Sequence, residues 1–172
     1  MTDAFRRELV DLIPRLMRFA RGLTGDAAAA EDLAHDTLER ALARRAQWRA
    51  GTRLDSWVYR IAQNLWIDGR RRAKTRGPHV DIDAAHEITG VDGHRAFEAR
   101  TRLKEVERAL AALPDEQRAT VVLVHVEGYS YREAADLLDV SEGTVASRLA
   151  RAKPVLESLL LDPAEDIRRG EL

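Results

Sequence analysis

Four polar side chains in the C-terminal part of the chain have the types and the spacing that base reading in double-stranded DNA requires. They recur at i, i+3, i+4 and i+7, so a helix would project them from one face, and they are Thr144, Ser147, Arg148 and Arg151. Arginine can donate two hydrogen bonds to guanine in the major groove, and hydroxyl groups bond to bases or phosphates. The pattern indicates a recognition helix, and the alternative is a helical hairpin with a solvated basic face.

The residues around this face predict two short helices joined by a tight turn. Ser130 and Glu133 have the spacing of a capping box, which begins the first helix, and Ser141 is a second cap after the turn at residues 138–141. The second helix also carries an apolar stripe on a separate face, formed by Val145, Leu149, Ala152 and Leu156. Residues 129–154 therefore predict a helix-turn-helix. Pro154 predicts a kink near Lys153, because proline lacks the backbone donor that a helix interior needs.

The composition favours an all-α protein. The 172 residues are 45% hydrophobic and 33% charged, as in ordinary globular proteins, whereas aromatic residues make up only 5%. There is no cysteine, which excludes disulfides and thiolate catalysis and fits a reducing compartment. A signal-peptide core and a run of about 18 apolar residues are both missing, so we expect a cytoplasmic protein without a membrane span.

Charge is divided unevenly along the chain. The net charge is −1, but residues 1–76 carry +6 and residues 77–172 carry −7. The basic excess is concentrated between Arg40 and Arg76, where the net charge is +9. This segment predicts a phosphate-facing surface. Because the whole chain is nearly neutral, we expect weak binding to DNA unless another molecule brings the protein there.

Three amphipathic helices are predicted in the first half. The first covers residues 3–23, and Pro14 predicts a kink or a division into two abutting helices. The second runs from Ala27 to about Arg45, and its polar face is either a solvated surface or a docking surface for a basic partner. The acidic strip on that face comprises Asp32, His35, Asp36 and Glu39.

The third helix is predicted to begin at a cap formed by Asp55 or Ser56. It interleaves Trp57, Tyr59 and Trp66 with basic residues, a combination that suits a single strand whose bases stack while its phosphates are neutralised. Each aromatic residue taken alone is better explained as part of a hydrophobic core.

The second half is predicted to begin after a linker at residues 77–100. His79, His86 and His94 lie in that linker at intervals that fit no common zinc site, so we expect no metal. Residues 101–113 continue as a helix through Leu103, Val106, Leu110 and Leu113. Residues 120–126 are rich enough in β-branched side chains to resemble a strand, but Pro114 at the first helical position and Gly128 at the end favour a helix.

Several stretches resemble bacterial RNA polymerase sigma factors of the extracytoplasmic-function (ECF) type, within the sigma-70 family. Residues 30–37 (AEDLAHDT) are similar to the family's polymerase-docking helix, and residues 56–64 (SWVYRIAQN) to its promoter-melting helix. Residues 113–118 (LPDEQR) and 142–149 (EGTVASRL) are similar to its −35-reading module. Residues 12–16 and 23–26 also resemble the general-stress branch of this family, but this similarity is too short to assign the branch.

The resemblance implies an all-α fold with a region 2-like bundle at residues 1–76, a linker at 77–100, a region 4-like helix-turn-helix at 101–162 and a tail at 163–172. It implies that Asp32, His35, Asp36 and Glu39 bind the clamp helices of the polymerase largest subunit. The implied further partners are the polymerase flap, promoter DNA and an anti-sigma factor. The −10 strand would be captured by Arg49, Thr52, Arg53, Trp57, Arg60, Asn64, Arg70 and Arg71, and the −35 element read by Thr144, Ser147, Arg148, Arg151 and Lys153.

The chain departs from the family pattern at three positions. His35 stands where glutamine is usual, Ala146 where a basic residue is common, and Pro154 where the recognition helix normally continues. Ala146 puts one expected −35 contact in doubt.

Other function classes fit less of the sequence. A dimeric helix-turn-helix regulator explains the second half but leaves the +9 segment unexplained, and an interaction adaptor would need no basic aromatic helix. The sequence has no G-x-x-x-x-G-K-[ST] loop and no H-E-x-x-H motif, so we expect neither catalysis nor a cofactor.

Overall fold

The computed structural model describes residues 2–76 and 93–161, and all regular structure in these two ranges is helical, which confirms the predicted all-α fold. The helices are α1 (Thr2–Thr24), α2 (Ala27–Ala43), a short 3-10 turn (Arg45–Gln47), α3 (Leu54–Arg76), α4 (Gly93–Ala111), α5 (Asp115–Val121), a π-helical turn (Val122–Val126), α6 (Tyr131–Leu138) and α7 (Glu142–Leu160). The predicted tail at 163–172 and most of the predicted linker lie outside the described residues.

The N-terminal module is a bundle of α1, α2 and α3. The predicted stripe of α1 is buried along its whole length, at Phe5, Leu9, Leu12, Leu16, Phe19 and Leu23. The expected division at Pro14 is wrong, because α1 is one helix of 23 residues. Pro14 faces solvent while Leu12 and Leu16 on either side of it pack into the same core, so burial of the stripe maintains the helix across the missing donor.

The starts of α2 and α3 differ in how they are capped. Asp26 caps α2 as expected, with its carboxylate accepting a hydrogen bond of 2.8 Å from the Ala29 amide. For α3 the predicted start at Asp55 or Ser56 is wrong, because the helix begins at Leu54. Leu54 is buried, and Asp55 instead uses its carboxylate in the first turn to bind the guanidinium of Arg53.

In the C-terminal module, residues 115–126 are helical, which confirms the choice of helix over strand. Pro114 lies at the N-cap and not at the first helical position, and its extended ψ of 145° sets the chain direction into α5. The last turn is widened, so that the Glu127 amide donates to the Val122 carbonyl at 3.0 Å across five residues.

The helix-turn-helix is formed by α6 and α7 with the predicted caps. Ser130 and Glu133 make the capping box, Asp139 adopts φ 54° in the turn, and Ser141 accepts from the Thr144 amide at 3.1 Å. α7 continues through Pro154 to Leu160 as one helix. Its stripe is buried at Val145, Leu149 and Ala152 and partly buried at Leu156.

Only half of the apolar residues that the helical pattern of residues 101–113 aligns are buried. Leu110 and Leu113 are buried, but Leu103 and Val106 are 45% and 39% exposed. The core therefore includes the C-terminal end of this segment, and α4 contacts α7 and α1.

The two modules pack against each other. α1 contacts α4, α5 and the π-helical turn, and α3 contacts α6. As a result, the long basic helix of the first module faces the helix-turn-helix of the second.

Candidate polymerase and nucleic-acid interfaces

The acidic strip lies on the solvent-facing side of α2. Asp32, His35, Asp36 and Glu39 are all exposed, whereas Leu33, Ala34 and Thr37 on the opposite side are buried. The hydroxyl of Thr37 donates to the Leu33 carbonyl at 2.6 Å, so this buried polar group is satisfied inside the helix. Asp36 and Glu39 border a shallow hollow that reaches Leu65 on α3. Packing of the buried side thus presents the strip outward as one surface.

The loop before α3 is closed by local hydrogen bonds. Gly51 has φ 87°, a conformation that side chains disfavour, and the hydroxyl of Thr52 donates to the Arg49 carbonyl at 2.7 Å. Arg49, Thr52 and Arg53 are exposed, as are Arg60, Asn64, Arg70 and Arg71 along α3. These seven predicted −10 residues are thus all accessible, from the loop to the end of α3.

The aromatic residues of α3 belong to the core and form no stacking platform. Tyr59 is fully buried and stacks on Phe19 with ring centroids 4.3 Å apart, and Trp66 is 7% exposed. Trp57 is partly buried against the edge of Phe5, with ring centroids 6.4 Å apart. The core interpretation is therefore correct for Tyr59 and Trp66, and of the aromatic residues in α3 Trp57 alone retains an accessible edge.

Three of the basic residues on this side bond to the C-terminal module. Arg60 donates to the Asp136 carbonyl at 2.7 Å, and Arg70 donates to the Asp115 carboxylate at 3.3 Å. Arg53 pairs with Glu133 and also binds Asp55 at 2.8 Å. The hydrogen bonds that Arg53 donates to the Asp55 carboxylate raise the pKa of Arg53.

The pKa of Asp55 moves in the opposite direction. Burial would raise it, but hydrogen bonds from Arg53 and from the Ser56 amide lower the pKa of Asp55 below its usual range. Asp55 is therefore a carboxylate that fixes Arg53 in place at the start of α3.

The predicted −35 residues all lie on α7 and differ in exposure. Arg151 and Lys153 are exposed, and Lys153 pairs with Glu157 of the same helix at 3.6 Å. The side chain of Arg148 is only 15% exposed, because its guanidinium binds Glu116 of α5 at 2.8 Å. Thr144 and Ser147 are partly buried, and their hydroxyls bond to Ser141 and to the Thr144 carbonyl. Thr144, Ser147, Arg148 and Arg151 therefore share one face of α7, with the Arg148 guanidinium turned to Glu116, whereas Lys153 lies about half a turn away.

Two charged residues that the sequence did not single out hold the modules together. Arg118 is 5% exposed and donates to the carbonyls of Leu23, Ala111 and Leu113, at the ends of α1 and α4. Burial lowers the pKa of Arg118. Carbonyls at helix C-termini attract cations, so this guanidinium joins the ends of two helices from different modules.

Glu127 is the second. Its side chain is fully buried and accepts hydrogen bonds from Tyr59 at 2.6 Å and from Arg18 at 2.9 Å. Burial, followed by the bond to Glu127, raises the pKa of Tyr59. No local pattern around Glu127 or Arg118 signals these roles, because both depend on residues far away in the chain.

Neither a metal site nor a membrane span is found in the described ranges. Within them no three His, Cys, Asp or Glu residues come together as metal ligands, and no helix is both long and apolar enough to cross a bilayer. The three histidines considered for zinc lie outside the residues whose side chains are described.

Both modules match known families. Residues 9–76 match sigma-70 region 2, and residues 103–153 match sigma-70 region 4. ECF RNA polymerase sigma factor EcfG of Rhodopseudomonas palustris is 34% identical over 167 residues, covering 96% of this chain and 91% of that protein. ECF RNA polymerase sigma factor SigM of Mycobacterium tuberculosis is 36% identical over 157 residues, covering 90% and 77%.

Solved structures agree with these relationships. The sigma factor RpoE of Bartonella quintana, in complex with the anti-sigma factor NepR, superimposes with a TM-score of 0.74 at 30% identity over 91% of this chain and 96% of that one. CnrH, in complex with the cytosolic domain of CnrY, gives a TM-score of 0.68 at 25% identity over 93% and 89%. A dimeric regulator would account for the C-terminal module alone, whereas both modules match in order. The chain therefore belongs to the ECF family of RNA polymerase sigma factors and has the function of that family, in initiating transcription.

Proposed function

We propose that this chain recruits RNA polymerase core to promoters through the acidic strip of α2 and catalyses no reaction itself. The observation that carries this proposal is that the strip is exposed on a different helix from both candidate DNA surfaces, which lie on α3 and α7. Three separate polar surfaces suit a protein that binds a large basic partner and two DNA elements together. The strip would contact the clamp helices of the polymerase largest subunit, and the C-terminal module the flap.

The two DNA elements are assigned to different modules. In the N-terminal module, the loop at 49–53 and the exposed residues of α3 would capture the non-template strand of the −10 element. In the C-terminal module, the outer face of α7 would read the −35 element in the major groove. The boundaries that follow are 1–76 for the first module and 101–162 for the second.

An anti-sigma factor and a cytoplasmic site of action complete the proposal. RpoE was solved with the anti-sigma factor NepR and CnrH with the cytosolic domain of CnrY, and this chain resembles both in fold. We infer that a protein of the same kind regulates this chain. Sigma factors act on the polymerase, so this one would act in the cytoplasm.

Dependence on core polymerase tests the recruitment role. In run-off transcription and core pull-down, the double variant Asp32→Lys, Asp36→Lys should lose core binding and activity, because it reverses the charge of the strip. Its melting temperature should remain nearly unchanged, since exposed charges contribute little to folding. The matched control is Glu8→Lys with Asp11→Lys, which makes the same charge change at exposed positions of α1.

The Glu8→Lys, Asp11→Lys control should bind core as the unmodified chain does. If the Asp32, Asp36 variant binds core as tightly as the unmodified chain, the strip is a solvated surface and not a docking surface. Tight and specific promoter binding without core would contradict recruitment altogether.

A further inference from the structure

The two arginines on the outer face of α7 lie close together along the helix but are held differently. Arg151 is exposed, whereas the side chain of Arg148 is only 15% exposed and donates to the Glu116 carboxylate at 2.8 Å. A helix turns by about 100° per residue, so Arg148 projects about 70° from the centre of the buried stripe and Arg151 about 130°. Arg151 therefore points outward, and Arg148 is turned toward α5.

Glu116 is set in position by the start of α5. It lies in the first turn of that helix, where the helix dipole favours a carboxylate, and α5 packs directly against α7. Its backbone carbonyl accepts a hydrogen bond of 2.7 Å from the hydroxyl of Thr120, one turn further along α5. Because the Glu116 side chain is 74% exposed, the ion pair lies at the surface of the module, beside the residues that would contact DNA.

Two other polar side chains of this face are bound within the module. The hydroxyl of Thr144 bonds to that of Ser141 at 2.9 Å, and the hydroxyl of Ser147 donates to the Thr144 carbonyl at 3.0 Å. Among the residues that the structure describes, Arg151 is therefore the member of this face whose charge no partner offsets. The pairing with Glu116 neutralises the second positive charge of the face.

The backbone of a DNA duplex would compete with Glu116 for the Arg148 guanidinium. Phosphates and carboxylates bind arginine through the same donors, so one donor of Arg148 serves one of the two anions at a time. Phosphates occur at every step of a duplex, so a phosphate contact through Arg148 would strengthen binding to all sequences alike. Each such contact releases counterions and steepens the dependence of log affinity on log salt by about 0.9.

We propose that Glu116 is a positioning residue that withholds Arg148 from the DNA backbone and so limits the sequence-independent affinity of α7 for DNA. This inference rests on the −35 role proposed above for α7. With Arg148 withheld, binding depends on Arg151 and on short polar side chains, whose contacts with base edges differ from one base pair to the next. The net charge of −7 at residues 77–172 acts in the same direction, because it also weakens binding to duplexes of any sequence.

The test measures binding of the full-length chain to a fluorescent duplex of random sequence, by anisotropy, over a series of potassium chloride concentrations. Two variants release Arg148: Glu116→Gln removes the charge and keeps the shape, and Glu116→Ala removes the acceptor altogether. Both should bind the duplex about eightfold more tightly at about 0.1 M salt, and the salt dependence should steepen by about one unit, as one additional phosphate contact predicts. Circular dichroism should show nearly unchanged helicity and melting, because Glu116 is largely exposed.

Two further variants separate the release of Arg148 from a general change of charge. Glu105→Gln makes the same charge change at an exposed position of α4 and should bind the duplex as the unmodified chain does. Adding Arg148→Met to Glu116→Gln should remove the gain in affinity and in salt dependence, because the released guanidinium is then missing. If Glu116 only stabilised the contact between α5 and α7, its replacement would not steepen the salt dependence.

Three results would overturn the proposal. If both Glu116 variants bind the duplex as Glu105→Gln does, Arg148 is not withheld from DNA. If the gain survives the addition of Arg148→Met, the effect comes from long-range repulsion between Glu116 and the duplex. If the Glu116 variants bind more weakly than the unmodified chain, Glu116 holds Arg148 toward DNA instead of away from it.

Arg151→Ala distinguishes failure of this proposal from failure of the −35 role. It is measured as holoenzyme on a promoter and as the free chain on the random duplex. If Arg151→Ala weakens promoter binding while the Glu116 variants match Glu105→Gln, the −35 role stands and only the withholding of Arg148 is wrong. If neither Arg151→Ala nor the Glu116 variants change binding to either DNA, the outer face of α7 does not contact DNA and both proposals are wrong.

Discussion

The two candidate DNA surfaces differ in how much of the molecule they need. The outer face of α7 is built on one helix, where Arg151 faces solvent. The basic side of α3 instead shares its donors with the C-terminal module through Arg53, Arg60 and Arg70. In this structure the outer face of α7 is open to solvent, whereas the basic side of α3 is partly bound by the C-terminal module.

Because of this difference, we expect different substitutions to affect the two surfaces. A substitution that disturbs α7 should affect −35 reading alone, as long as α2 still binds core. A substitution among the contacts between the modules should instead affect the basic side of α3 and leave the outer face of α7 unchanged. The variants below separate these two cases, and they are ordered by the size of the expected effect.

The largest effect is expected from Leu149→Ala, which removes a buried side chain from the stripe of α7. The cavity should destabilise the C-terminal module by about 2–5 kcal/mol in denaturant unfolding, whatever the promoter. Core binding through α2 should persist. The matched control is Leu159→Ala on the same helix, where the side chain is 52% exposed and the cost should be below about 0.5 kcal/mol. Equal costs would mean that the stripe does not pack as described.

Arg118→Met should come next, because it leaves three carbonyls at two helix ends without their donor. Buried acceptors left unsatisfied cost about 1–3 kcal/mol, so we expect a loss of about 2–3 kcal/mol in thermal unfolding. Strand binding by α3 should rise at the same time, since the Leu23 contact joins the modules. Arg102→Met, at an exposed position of α4, is the control and should change neither quantity. A stable variant with unchanged docking would show that Arg118 does not join the modules.

Arg151→Ala should cost about 1–3 kcal/mol of promoter binding and relax the preference at one −35 position, if this side chain reads a base. If it contacts a phosphate, all sequences should weaken alike and the salt dependence should fall. Arg148→Ala should have a smaller effect, because Glu116 already binds that guanidinium. The measurement is a −35 substitution series transcribed with each variant. If neither change alters the profile or the activity, the helical-hairpin alternative gains the advantage.

Asn64→Ala should have the smallest effect of the four, about 1 kcal/mol or roughly fivefold in open-complex formation. The defect should appear on a closed promoter and largely disappear on a template with a pre-melted bubble, because strand capture is needed to open DNA. Gln47→Ala, which truncates another exposed amide, should behave like the unmodified chain on both templates. Equal loss on both templates would place Asn64 outside the opening step.

Local features of this fold could be predicted from the sequence. The caps at Asp26, Ser130 and Ser141 and the buried stripes of α1 and α7 depend on residues within one or two turns of each other. The exposure of the α2 strip follows in the same way from the burial of Leu33 and Ala34. Such patterns are visible because each helix buries one of its own faces.

Features that depend on distant residues could not be predicted. Arg118 and Glu127 acquire their partners from α1 and α3, and nothing in their neighbourhood distinguishes them from ordinary surface charges. Leu103 and Val106 follow helical spacing but remain exposed, since periodicity shows which residues share a face and not whether another helix covers it. The family resemblance implied that Arg53, Arg60 and Arg70 bind the −10 strand, and their partners in the C-terminal module lie too far along the chain to be recognised from the sequence.

The widened turn at Val122–Val126 sets the direction in which the chain leaves α5 and reaches Glu127 and α6. An α-helix advances by about 100° per residue, so the additional residue in this turn decides which way the chain points when it reaches Glu127. A conservative exchange inside Val122–Val126 leaves that direction intact. Deleting one residue there would restore a regular helix and rotate Glu127 away from Tyr59 and Arg18. Chain length, more than side-chain identity, is therefore what this segment must preserve.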